Sequence, residues 1–121
     1  LKNGGKFMKK RYGFVTNSSS SSYILTNKTN KTLTGEKIAL ELEDEFNDFK
    51  KEYDYISELQ KFKFQDFVSS GKERNLSIKP QEAIVIECGD HFDDGLFEML
   101  IHASYGINKE DFSIKFLESH H

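Results

Sequence analysis

Ile38, Leu42, Phe46, Phe49, Tyr53 and Ile56 recur every three or four positions. That period places them on one face of a helix beginning after Thr34, whose hydroxyl is positioned to cap it. Glu36 falls in the first turn, where the helix dipole favours an anion. Ile38, Leu40 and Leu42 also alternate with period two, as in a strand, but the length of the repeat and its helix-forming residues decide for a helix. A second helix over residues 54–69 is expected from Ile56, Leu59, Phe62 or Lys63, and Phe67, with Asp54 as its cap if the chain bends near Tyr53. One bent helix and two separate helices both fit this pattern. Gly71 is expected to end the helical region, and residues 72–80 to form a loop that carries the one proline, Pro80.

The strand signals lie at the two ends of the chain. Residues 12–15 and 22–26 are short β-prone pieces on either side of a Thr-Asn-Ser run, and residues 27–32 are rich in turn formers, predicting strand, polar loop, strand. Ala83-Ile84-Val85-Ile86-Glu87-Cys88 is nearly continuous in β-branched apolar residues, which predicts a central strand covered on both faces. Asp93 or Asp94 is expected to cap a third helix carrying Leu96, Phe97, Leu100, Ile101 and Ser104, with Gly106 at its end. Phe112 to Leu117 alternates apolar and polar residues as a half-exposed strand does. The C-terminal half therefore reads β-α-β, with a right-handed crossover if its strands are parallel neighbours.

Together these elements predict a single small α+β domain, a three- to four-stranded sheet packed against two or three helices. A chain of 121 residues suffices for one core that buries roughly two-thirds of the unfolded surface, and is too short for two. Hydrophobic residues make up only 36%, but 11 Phe and 5 Tyr concentrate apolar area in large side chains. The net charge of −3 argues against nucleic acid as a partner through bulk electrostatics. Cys88 is the one cysteine, which excludes an internal disulfide and points to a reducing cytoplasm. No apolar run approaches the ~18 residues that span a bilayer, so no membrane is expected. The sequons Asn27-Lys28-Thr29 and Asn30-Lys31-Thr32 read as turn chemistry.

Residues 1–7 are expected to be a translated leader or an expression remnant. Gly4-Gly5 is what a GGAGG-type ribosome-binding site gives in frame, and Lys6-Phe7 supply the spacer before Met8. The domain is then residues 8–121, from a bacterial, archaeal or phage source.

Two constellations are candidates for binding. Asn17, Ser18, Ser19, Ser20, Ser21 and Ser22 can present hydroxyls and backbone N–H groups to an anion, as nests do. The glycines and lysine of a P-loop are missing, however, and a tight polar connection that satisfies the backbone ranks first. A recognition tag or phosphorylation site is a third reading. The run is expected to be ordered, anchored by Phe14 and Tyr23.

Cys88, Asp90, His91, Asp93 and Asp94 fall within seven residues where a strand gives way to a helix, a place where ligands bind and where imidazole and carboxylates suit a divalent metal. Cys88 and His91 lack the second ligand pair of a structural zinc site, and helix capping accounts for the aspartates, so a capped loop ranks above a metal. His102 can point back at this cluster. Glu41, Glu43, Asp44, Glu45 and Asp48 form an acidic patch whose first reading is a solvated helix face and whose second is a partner-binding or DNA-mimicking surface.

Tyr12-Gly13-Phe14-Val15-Thr16-Asn17 with Ser18 to Ser22 and Tyr23 resembles an N-terminal signature of uncharacterised bacterial, archaeal and phage proteins. That signature runs Gly-Phe-Val, then Ser or Thr, then Asn, five serines and Phe. Tyr23 stands where Phe is usual. The resemblance implies a prokaryotic or mobile-element origin and transfers no catalytic residue. With no complete reactive constellation and no cofactor motif, the expected function is a non-catalytic cytosolic interaction protein with a protein partner. The alternative is a small enzyme or a ligand or metal sensor acting through the segment from Cys88 to Asp94.

Overall fold

The structure, a computed structural model, describes residues 20–89 and 95–120. In chain order its elements are β1 (Ser20–Asn27), β2 (Leu33–Thr34), α1 (Gly35–Leu40), α2 (Glu43–Glu52), α3 (Ser57–Gln60), α4 (Phe64–Arg74), β3 (Ser77–Ile78), β4 (Ala83–Gly89), α5 (Leu96–Ala103) and β5 (Phe112–His120). The α+β class is as the periodicities predict. One sheet has the order β4-β1-β5 and β2 pairs with β3 in a second, short one.

Both β4 and β5 run antiparallel to β1, hence parallel to each other. The C-terminal β-α-β is therefore a split unit with β1 inserted between its strands, not a pair of parallel neighbours. This corrects the expected centre of the sheet. Among the described residues β4 is an edge strand: Ile86 and Cys88 face the core, but Val85 on the opposite face is 60% exposed. Its β-branched residues report a pleated backbone, and that preference holds whether one face is covered or two.

Central place goes to β1, which begins inside the serine run. Ser20 and Ser21, where a loop was expected, and Ser22, where the strand was expected to begin, are all strand residues with neighbours on both sides. Small hydroxyl side chains fit here because a central strand has its backbone groups paired on both edges and needs no long side chain to shield them. Residues 12–15, Phe14 among them, lie outside the described residues.

The helical stripe is preserved although the helix is broken. Ile38, Leu42, Phe46, Phe49 and Tyr53 are all buried, but α1 stops at Leu40 and α2 starts at Glu43. Between them Glu41 N–H donates to Ile38 O at 3.1 Å and Leu42 N–H to Ala39 O at 3.0 Å, a tightened turn that keeps the apolar face in phase. Thr34 is the N-cap, its hydroxyl accepting from Lys37 N–H at 3.3 Å.

The expected second helix is likewise two pieces, and Asp54 caps neither. Ile56 precedes α3, and α4 is capped by Asp66, which accepts from Lys63 N–H at 2.8 Å. Gly71 does not end α4, which continues to Arg74 and closes on Asn75 in the left-handed conformation (φ 59°). Asn tolerates that region better than most residues. Gly71 has a packing reason: a Cβ there would lie 2.8 Å from Gly35 O, and a Cβ at Gly35 would collide with Gly71 O. Two glycines therefore let α1 and α4 touch backbone to backbone.

Asn27, fully buried at the end of β1, organises the following turn. Its amide donates to Lys31 O, Ile78 O and Lys79 O, and its carbonyl accepts from the Thr29 amide and hydroxyl. The sequon reading as turn chemistry is what this geometry displays.

Candidate functional site

The strand register brings the two sequence candidates together. Ser20 pairs with Gly89, Ser21 with Cys88 and Ser22 with Glu87, while β5 flanks the other side with Glu118 opposite Ser22. The serine run and the end of β4 thus share one end of the sheet. Asn17, Ser18, Ser19, Asp90, His91, Asp93 and Asp94 lie outside the described residues. Among the described residues, no group of three or more His, Cys, Asp or Glu side chains is arranged to hold a metal.

Alternation along β1 sets what faces what. Ser21, Tyr23, Leu25 and Asn27 share one face, which is buried, and Ser22, Ile24 and Thr26 share the other. Tyr23 Oη lies 2.6 Å from His102 Nδ1, joining the central strand to the last turn of α5. The tyrosine ring also stacks on Tyr105 at 5.9 Å and meets Phe116 edge-on at 5.8 Å. Such aromatic pairs add about 0.5–1.5 kcal/mol each beyond area burial. Between Ser22 and Tyr23 the β5 register slips, leaving Leu117 as a bulge with its side chain half exposed.

Residues Phe97 to Ala103 of α5 are all buried, so the helix carries two titratable groups into the interior and must compensate both. Glu98 is met by Arg74 at 2.9 Å. His102 is met by the Tyr23 hydroxyl, and burial lowers its pKa to about 4. The imidazole is therefore neutral at pH 7, able to exchange one hydrogen bond with the Tyr23 hydroxyl.

Chemically this is a dry, uncharged arrangement. Ser21, Ser22, Tyr23, Cys88 and His102 are between 0% and 7% exposed. In the folded chain the Ser21 and Ser22 hydroxyls are closed to a modifying enzyme, and the Cys88 thiol is packed as a small apolar group. The geometry ties Tyr23 of β1 to His102 of α5.

A second polar assembly was hidden in the acidic patch. Glu43, Asp44 and Asp48 are exposed, as a solvated face requires, but Glu41 and Glu45 are partly buried against the turn before β5. Lys109 Nζ lies 3.3 Å from Glu45 Oε2, and burial first, then the neighbouring Asp111, holds the Glu41 carboxyl above its usual value. Beside them Asp111, Lys37 and the turn from Thr29 to Leu33 line a cleft of about 350 Å³. Tyr23–His102 has no local sequence signal, because the pair joins residues far apart in the chain. The nearest hint was the placement of His102 on an otherwise apolar helix.

No helix among the described residues is long and apolar enough to cross a membrane. Comparison of the chain with protein-family models, with curated proteins and with solved structures finds no match.

Proposed function

We propose that the chain is a small, non-catalytic, cytosolic interaction protein of prokaryotic or phage origin that binds another protein. The observation that supports this most is the distribution of burial. Among the described residues of the serine end, Ser21, Ser22, Cys88 and His102 are buried, while large apolar side chains point outward on the other two strands of the sheet: Val85 on β4, and Phe116 and Leu117 on β5. Apolar side chains on outer strands suit contact with a second chain. The cytosolic part of the reading rests on a lone cysteine, and the origin rests on the N-terminal signature.

Affinity capture from the source organism tests this. The expected result is a stoichiometric protein partner that is lost with Val85→Lys and Leu117→Lys, while circular dichroism shows the fold retained. A tightly held small ligand, with no protein partner, would overturn it.

One observation favours a second reading, a small enzyme or ligand sensor: β4 delivers Cys88 beside Ser21, at the start of the segment that carries Asp90, His91, Asp93 and Asp94. Stoichiometric zinc or manganese in native mass spectrometry, removed by Cys88→Ala, would support it; a metal-free chain after titration would remove it.

A further inference from the structure

The two edges of the β4-β1-β5 sheet are built differently. Along β5 the first half of the outer edge is already occupied by the preceding turn. Gly106 N–H donates to Ile114 O at 2.7 Å, Ile114 N–H donates to Ile107 O at 3.1 Å, and Asn108 bridges Ser113. Further along, exposed Lys115 and the bulge at Leu117 interrupt the edge. A covering turn, a lysine and a bulge are devices by which sheets keep an edge from joining another strand.

Among the described residues β4 carries none of these. It keeps unbroken register with β1 from Ala83 to Gly89, and its sequence Ala-Ile-Val-Ile-Glu-Cys-Gly holds neither lysine nor proline. Hydrogen-bond phase fixes which groups look outward. Glu82 O accepts from Asn27 N–H at 2.8 Å, so by alternation Ile84 and Ile86 exchange their bonds with β1. The N–H and C=O groups of Ala83 and Val85 therefore point off the sheet, and among the described residues they meet no backbone partner. Side chains repeat the pattern. Ala83 and Val85 are exposed on the outer face, and Ile84 is only partly buried at the margin of the core.

We propose that a second copy of this chain pairs with that edge, β4 antiparallel to β4 about a two-fold axis at Ile84, so that both sheets become one. This register sets Ala83 of each copy opposite Val85 of the other, where the outward N–H and C=O groups exchange hydrogen bonds, and sets Ile84 against its own mate. Contacts at the centre are then all apolar. Glu82 falls opposite Ile86 and Glu87 opposite Gln81, so no two carboxylates face each other although each copy carries a net charge of −3. The edge is complementary to itself in hydrogen bonding, in apolar side chains and in the spacing of its charges, which selects a copy as the occupant. The pairing rests on the proposed protein-binding role and names the partner at β4.

Sedimentation equilibrium of the full chain, at concentrations up to about 1 mM, tests this. The expected result is an average mass that rises with concentration toward twice that of one chain. Hydrogen exchange of the Val85 amide is expected to slow over the same range, while that of Ile84, bonded to β1 in either state, is expected to stay constant. Ala83→Pro removes an outward N–H at the first position of the strand, where proline is tolerated, and is expected to weaken the dimer by about tenfold or more. If circular dichroism shows that Ala83→Pro has lost the fold, Val85→Lys decides, since it changes only an exposed side chain and brings two ammonium groups together near the axis. Leu117→Lys on β5 is expected to leave the dimer unchanged. A wild-type chain that stays monomeric, or a folded Ala83→Pro protein that dimerises like the wild type, would overturn the pairing. A monomer that still captures a protein from the source organism would overturn the pairing alone and leave the protein-binding role standing.

Discussion

The serine end of the sheet and the corner at Glu41 both gather polar side chains from distant parts of the chain, but water treats them differently. Tyr23 is fully buried and His102 is 7% exposed, whereas Glu41 is only partly covered and sits beside an open cleft. Desolvation disfavours charge in both places, and because one group is a base and the other an acid it moves them in opposite directions. The histidine is pushed down, to about 4, and the glutamate is pushed up. Acid therefore loosens the first region and tightens the second.

The largest test of that contrast removes the dry region's anchor. Tyr23→Ala deletes a fully buried ring from the central strand together with its contacts to His102, Tyr105 and Phe116. A loss of about 3–5 kcal/mol is expected in urea unfolding, enough to remove a large share of a small domain's stability. Acid comes next. His102 binds its proton less readily in the folded chain than in the unfolded one, so its contribution is whole above the ordinary histidine value and is lost as pH falls toward about 4. The loss is expected to approach about 3 kcal/mol as an upper bound, and His102→Gln is expected to flatten this part of the pH–stability curve.

Gentler still is Tyr23→Phe, which keeps the ring and removes the hydroxyl at His102 Nδ1, for an expected cost of about 1–3 kcal/mol. At the wet corner, breaking the Lys109–Glu45 pair with Lys109→Ala is expected to cost less than about 1 kcal/mol, because both side chains retain contact with solvent. If Lys109→Ala proved more damaging than Tyr23→Phe, the ranking of dry over wet would be wrong.

How much of this was legible in the sequence follows the same division between local and distant. The stripe from Ile38 to Tyr53, the Thr34 cap and the strand from Phe112 all rest on near neighbours, and they stand where the periodicity puts them. The break at Glu41 was not legible, since a turn bonded three residues back leaves the apolar phase unchanged. Gly71 was misread because a glycine required for close helix packing has the same letter as one that ends a helix, and only the approach of Gly35 separates the two.

The exchange of places between β1 and β4 has a related cause. Apolar content reports how well a strand packs, but position in a sheet depends on which strands find it, and the serines of β1 gave no sign of two partners. At the candidate site the order of Ser20 to Ser22 beside Tyr23 was expected, whereas its chemistry was not. Tyr23 and His102 meet across 79 residues, a distance that no periodicity reports.

A side-chain NMR titration of His102 and Glu41 in one sample tests the central contrast most directly. The account predicts an imidazole midpoint near 4, well below the ordinary histidine value, and a Glu41 carboxyl midpoint above the ordinary glutamate value. A His102 midpoint near its ordinary 6.5, with Glu41 also at its ordinary value, would contradict it, for the serine end would then be open to water and to substrate.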